Sequence, residues 1–335
     1  MYSQIIRRIL LSILAILGVT VLVFFLSHVV PGDPARLAAG PQAREEQVAT
    51  IRREYGLDKP VVEQYFIYMG NLLRGNLGMS LQSRRPVLDD LVDYFPATFE
   101  LTVTAMLIAV IGGVGLGILS AVRKNGLADS LSRIFSLVGV SMPVFWLGIV
   151  LVLLFYRQLG WLPFGGRLDP SLDPPPHITG LYLVDSLLSG EWATFWSALS
   201  YLILPAVTLA YSSLAIVSRM TRSSLLEVLQ EDYVRTARAK GLSERLVITR
   251  HALRNALIPV MTITGLQFGA LLGGAFLVEV IFSWPGLGTY AMKAILFLDY
   301  NGIIGVTFLI ALLFMLTNLI VDILYVVVNP QMRTK

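Results

Sequence analysis

The chain has 335 residues, of which 55% are hydrophobic and 14% charged, with a mean hydropathy of +0.70 and a formal net charge of +4. A soluble domain carries about 25% charged residues, so this composition excludes an ordinary soluble enzyme and points to a lipid bilayer. Cysteine is absent, which removes disulfides, thiol catalysis and cysteine metal sites.

The charges cluster and leave six weakly charged runs, at about 9–30, 101–122, 134–156, 192–218, 257–278 and 303–321. Each approaches the ~20 residues that a helix needs to cross ~30 Å of hydrocarbon. They predict an all-α membrane protein with six transmembrane helices. Arg7 and Arg8 precede the first run, which is longer than the apolar core of a signal peptide and leads into VVPGDP, not a small-residue cleavage site. Residues 1–30 are therefore read as a retained first helix. Residues 31–98 form the largest loop. Val48, Ile51 and Tyr55, then Val62, Tyr65, Phe66 and Met69, recur at helical spacing and predict two short amphipathic helices broken at Gly56–Pro60, an outer cap. Residues 99–328 hold the remaining five spans, with 219–256 as a loop between the fourth and fifth and 329–335 as a tail. IGGVGLG at 111–117 suits close helix approach. Pro143, Pro205 and Pro259 predict kinks in spans three and four and at the entry to span five. Residues 165–190, containing DPPPHITG, read as a Pro/Gly-rich loop.

Orientation follows from the basic residues. Arg7, Arg8, Arg123, Lys124, Arg133, Arg219, Arg222, Arg235, Arg238, Lys240, Arg245, Arg250, Arg254, Arg333 and Lys335 all fall on one side of a six-helix topology. The positive-inside rule makes that side cytoplasmic, with both termini on it. Trp161, Trp192, Trp196 and Trp284 are then expected in an outer aromatic belt. The positive charge is a topology signal and gives no reason to invoke nucleic acid.

None of the five lysines follows a glycine and precedes Ser or Thr, so no Walker A loop is present. The three histidines, His28, His177 and His251, form no metal motif. Apart from His28 the span interiors lack Asp, Glu, Lys, Arg and His, and an ion- or proton-coupled carrier needs such groups near the midplane. A channel filter or charged ring is not legible either. The energy for any transport must come from a separate protein docking from the cytoplasm.

The segment DYVRTARAKG at 232–241 is the best receiver for such a protein. Tyr233 and Ala237 share one helical face and Arg235 and Arg238 another. Gly241 is placed to end the helix, and Ser243 to cap the next one with Glu244 in its first turn. Thr236, Ala237 and Ala239 are small enough for a partner to approach. A membrane-surface helix on anionic lipid explains the same pattern equally well.

The segment resembles the cytoplasmic loop motif of ABC-importer permeases, Glu-Ala-Ala-x3-Gly followed by Leu-Pro. Arg235, Thr236, Ala237 and Gly241 stand at the four named positions, and Ile258–Pro259 at the Leu-Pro. Replacement of the Glu and first Ala, and the longer spacing to Pro259, are typical of the dipeptide, oligopeptide and nickel branch. Further motifs similar to that branch are VPGDP (30–34), YGLDKP (55–60), GNLGMS (75–80), SMPVFW (141–146), RMTRSSLLEVLQEDY (219–233), IFSWPGLG (281–288) and DILYVVVNP (322–330). The resemblance implies a type I ABC importer permease fold in a bacterial inner membrane, forming half of a pore. It implies a homologous second permease subunit, two ATPase subunits that bind ATP and magnesium, and an extracytoplasmic substrate-binding protein. No cofactor is implied for this chain. Asp232, Tyr233, Arg235, Thr236, Ala237, Arg238 and Gly241 would couple it to the ATPase. Dipeptides or oligopeptides are the implied substrates, with nickel chelates and glutathione as alternatives within the class. A non-transporting membrane scaffold for an ATPase is the alternative outside it. Glu279, Phe282, Trp284 and Pro285, at the outer end of span five, are candidate pathway or gate residues. Glu279 is the acid suited to meet a peptide amino terminus, and a capping or helix-pairing role is its other reading.

Overall fold

In the computed structural model, the described residues are 2–29, 34–39, 43–54 and 56–328. Motif residues 30–33, Tyr55 and the expected tail 329–335 lie outside them, as do the side chains of Arg7, Arg8, His28 and Asp322. Apart from one isolated bridge between Met79 and Pro86, the regular elements among the described residues are helical.

Helix α1 (Tyr2–Val29) is followed by three short helices, α2 (Pro34–Ala39), α3 (Glu45–Glu54) and α4 (Val61–Leu73). The last two flank the break expected at Gly56–Pro60, where Gly56 takes a φ of +63°. Helix α4 lies against α1: the hydroxyls of Thr20 and Tyr65 share a 2.9 Å hydrogen bond, and the Phe24 and Tyr65 rings meet edge-on.

Helix α5 (Val87–Val122) starts well before the expected span at 101, so residues 87–98 are helical and lead directly into that span. Pro86, with φ −54°, presets the first turn, and Asp89 and Asp90 complement the helix N-terminus. Helix α6 (Leu127–Ser141) and helix α7 (Val144–Leu151), which continues as a π-helical turn to Gln158, meet at a 110° bend. Met142 is extended there, as a residue before proline prefers, so Pro143 breaks this span as expected. The Pro/Gly-rich loop contains a short helix, α8 (Tyr182–Ser189), not foreseen from composition.

Helix α9 (Trp192–Val228) continues through Pro205 and past the expected end of span four. Helix α10 (Asp232–Ala239) follows. Helix α11 (Glu244–Leu246) leads through a π-helical turn at Val247–Ala252 into α12 (Leu253–Ile281), which continues through Pro259. Helices α13 (Leu287–Leu296) and α14 (Tyr300–Val328) complete the described chain. By length and apolar composition, four stretches among the described residues can cross a membrane: α5, α9, Glu244–Ile281 and Tyr300–Val321. The bent α6–α7 pair makes a fifth, and the apolar part found in α1, Ile13–Leu22, is shorter.

Helices α5 and α9 pack along each other through the glycine run. A Cβ at Gly113 would lie 2.8 Å from Val217, and one at Gly117 would lie 2.5 Å from Thr221, so only glycine permits this approach. Gly115, between them, faces open space. Leu101, Ala105, Leu202, Leu209, Leu271 and Val278 form the core where α5, α9 and α12 meet. Segment 75–86 is pinned to the start of α14. There Ser80 Oγ donates to the buried Asp299 carboxylate at 2.5 Å, and Asn301 Nδ2 donates to the Met79 carbonyl at 2.9 Å.

Candidate functional site at the docking helix and the ends of the core

Helix α10 carries one narrow apolar stripe, Val234 and Ala237, three residues apart. Both are buried against Leu225 of α9 and Val247, Ala252 and Ala256 leading into α12. Ala237 therefore belongs to the seat of the helix, which corrects its expected place on a partner-facing surface. The sequence offered Tyr233 and Ala237 as one face, but a 100° turn per residue also pairs Ala237 with Val234, and burial of valine decides the register. Asp232, Tyr233, Arg235, Thr236 and Arg238 are exposed. Tyr233 is held by a 2.8 Å hydrogen bond from Asn255, and Arg235 pairs with Asp232 of its own helix at 3.2 Å.

The turn after α10 is clasped. Gly241 has a φ of +78°, in the left-handed region that a Cβ disfavours, and no heavy atom lies within 4 Å of where a Cβ would sit. Arg238 spans the turn and donates to both Glu244 oxygens, at 3.0 and 2.7 Å. Ser243 precedes α11 but makes no side-chain cap, contrary to expectation, and Glu244 is engaged by Arg238. Sequence reading missed this clasp, although an Arg and a Glu flanking a helix-ending glycine are its signal.

In the first turn of α6, Asp129 ties three helices. Its fully buried carboxylate accepts from Ser120 of α5 at 2.6 Å, from the Asn125 amide at 2.9 Å, and from Arg222 of α9 at 2.7 and 3.0 Å. Arg222 and Asp129 are far apart in sequence, so no local pattern announces the pair.

At the other end, Glu279 is fully buried. Thr98 Oγ1 donates to it at 2.6 Å, and the Gly288 and Thr289 amides at 2.6 and 3.2 Å. These bonds cap α13 and hold α12 to α5, the second of the readings left open above. Trp284 is also buried, with Nε1 donating to the Ala97 carbonyl at 2.9 Å. It leaves the expected aromatic belt because its N–H finds that partner, whereas Trp161, Trp192 and Trp196 are exposed. Phe282 is buried near Phe164, and Pro285 is exposed. Arg167 pairs with Glu100 at 2.6 Å and lays its guanidinium 3.7 Å from the Tyr182 ring centre. The 165–190 loop is closed by Asp185. Burial pushes its carboxyl up, but donors from the Thr179 hydroxyl and the Thr179, Gly180 and Ile178 amides outweigh burial and hold it below its ordinary value.

A cavity of about 690 Å³ lies between α5 and α12, with Val110, Val114, Gly115, Ile118, Leu257 and Met261 among its walls. Its lining is apolar, and none of Glu279, Phe282, Trp284 or Pro285 contributes to it.

A bundle of long apolar helices, with a short amphipathic helix seated across the ends of two of them, is an integral membrane architecture, and the family match makes it the membrane subunit of a transporter. Residues 113–334 match the family described as binding-protein-dependent transport system inner membrane component, and residues 1–102 match the N-terminal model for such membrane components. The chain belongs to this family; its members are inner-membrane transport components and not catalytic subunits. Among its relatives is the probable D,D-dipeptide transport system permease protein DdpB of Escherichia coli, 48% identical over 95% of this chain and 94% of that one. The di/tripeptide transport system permease protein DppB of Pseudomonas aeruginosa is 48% identical over 99% of both chains. The glutathione transport system permease protein GsiC of Escherichia coli is 42% identical over the full length of both.

Proposed function

We propose that this chain is one of two homologous permease subunits in an ATP-driven importer of dipeptides or oligopeptides. Six transmembrane helices, counting α1 and the bent α6–α7 pair, would leave both termini and α10 in the cytoplasm and residues 31–98 outside. A substrate-binding protein delivers peptide to the outer face. Two ATPase subunits, which hold ATP and magnesium, receive α10.

The observation that carries this reading is the seating of α10. It exposes Asp232, Tyr233, Arg235 and Thr236 while its buried stripe rests on both α9 and the entry to α12. A push on α10 is delivered to those two helices together, and the Gly241 clasp keeps it from being absorbed in the turn. Through Arg222 and Asp129 the same displacement reaches α5 and α6. The apolar cavity between α5 and α12 is therefore walled by elements that the push displaces. ATP and the released nucleotide state shift the equilibrium between outward and inward forms by binding them unequally. An apolar, weakly discriminating wall suits passage of peptides with varied side chains, with selection left to the binding protein.

Reading the cargo as a dipeptide or tripeptide rests on the two 48% relatives. Glutathione is the second reading, supported by the full-length match to a glutathione permease. Both are tested by reconstituting the chain with its partner permease, ATPases and binding protein in proteoliposomes and following labelled dipeptide and labelled glutathione. ATP-dependent dipeptide uptake is expected; glutathione uptake alone selects the second reading. Uptake of neither by a complete, ATP-hydrolysing complex overturns both.

A further inference from the structure

A second cavity, of about 330 Å³, opens between α6 and α9 at the end of the bundle that carries α10. Its walls are Ser132, Arg133, Ser136 and Leu137 of α6 and Ser218, Arg219 and Arg222 of α9. Three arginines and no acid line it. Asp129, behind the wall, answers Arg222 at 2.7 Å and reaches Arg133 only at 3.8 Å. Arg219 has no acidic partner among the described residues, so the pocket keeps a surplus of positive charge. Ser132, Ser136 and Ser218 are largely buried residues whose hydroxyls stay accessible and make no hydrogen bond among the described residues. Three free hydroxyl donors beside three guanidinium groups match the acceptor oxygens of a phosphate. The outer flank is apolar: Leu131, Ile134, Leu137 and Val138 of α6 are exposed large side chains that a bilayer would cover.

We propose that this pocket binds the phosphate headgroup of an anionic phospholipid, with the acyl chains lying along the exposed face of α6. Basic pockets between transmembrane helices on the cytoplasmic side recognise such headgroups. Bound phosphate would sit on Arg222, whose other contacts join α9 to Asp129 and thence to α5. A lipid there stiffens the end of the core against which α10 is seated. The placement in the cytoplasmic leaflet rests on the orientation proposed above, but the binding itself requires neither peptide nor ATPase activity.

The test uses the assembled importer in nanodiscs of phosphatidylcholine doped with phosphatidylglycerol, with retained lipids counted by native mass spectrometry. Selective retention of phosphatidylglycerol is expected. Arg219→Gln, outside the Asp129 contacts, should lower it about fivefold, the contribution of one basic residue at an anionic surface. The double variant Ser132→Ala, Ser136→Ala should lower it independently, and Arg123→Gln, an exposed arginine outside the pocket, should leave it unchanged. Equal retention of the two lipids, or an unchanged preference in Arg219→Gln, overturns the proposal. So does inorganic phosphate that protects Arg219 from an arginine reagent while phosphatidylglycerol does not, which would assign a soluble anion. Cross-linking of Arg219→Cys to the second permease would make the pocket a subunit seam and overturn it as well. Retention is read without ATP or substrate, so failure here and failure of the import assay are separate results.

Discussion

Replacing Gly241 with valine isolates backbone strain at the turn after α10. Its φ of +78° is a conformation that an L-residue enters at a cost of roughly 1–2 kcal/mol, and β-branching adds to the penalty. No atom lies within 4 Å of the new Cβ, so the Cβ itself meets no collision and backbone strain is the leading perturbation. The exposed Arg238–Glu244 clasp opposes relaxation with about 0.2–1 kcal/mol, less than the strain. The buried Val234 side chain holds α10 to its seat with about 1.5–3 kcal/mol, more than the strain. The turn should therefore relax while α10 stays seated at an altered tilt. In reconstituted importer, Gly241→Val should retain membrane insertion and ATP hydrolysis but lose most ATP-driven uptake. Gly241→Asn, which tolerates positive φ, should keep uptake near wild type. Unchanged uptake per ATP hydrolysed in Gly241→Val, or equal losses in both variants, would refute the strain argument.

Glu279→Gln should lower thermal stability in detergent by about 1–3 kcal/mol, because the buried Gly288 and part-buried Thr289 donors then face a mismatched acceptor; normal melting with altered transport KM would make Glu279 a pathway residue instead. Gly117→Val should cost about 1–3 kcal/mol by forcing α5 from α9, since its Cβ would meet Thr221 at 2.5 Å. A normal folded yield by size-exclusion chromatography would count against that close approach. Asp185 sits below its ordinary value, so its contribution to loop stability is complete above the unfolded value of about 3.9 and is lost as pH falls through the depressed folded value. Pepsin should cut the 165–190 loop increasingly across that window in wild type, whereas Asp185→Asn should be cut at the top of it already; a flat wild-type profile would contradict the assignment.

What the sequence made legible was local. Apolar run lengths located the long helices, and Pro143 marked the 110° bend because proline constrains the residue immediately before it. Gly241 was identifiable as a helix stop, and its positive φ agrees. Pairings between distant residues were not legible. Thr98 with Glu279, Arg222 with Asp129 and Arg167 with Glu100 each join residues whose separation leaves no periodic trace. Trp284 shows the consequence: an aromatic near a span end suits an interface by composition, and only the Ala97 carbonyl explains its burial. Ala237 was misread for a related reason, since a short helix with so few apolar residues does not specify its buried face.

The Ser80–Asp299 hydrogen bond also orders events during synthesis. Its partners are separated by 219 residues. A ribosome adding about 5–20 residues per second reaches Asp299 roughly 10–40 s after Ser80. Throughout that interval the segment between Gly75 and Pro86 has emerged with its local turn but without the carboxylate that ties it to α14, while α5 can already enter the bilayer. The segment's link to the start of α14 forms late, although the segment itself is made early. Chains ending upstream of Asp299 would insert their earlier helices and keep the local turn at 80–86, but would lack the ties from Asp299 to Ser80 and Gln82. Quality control could thus distinguish an unfinished subunit from a complete one at a site far from its missing end.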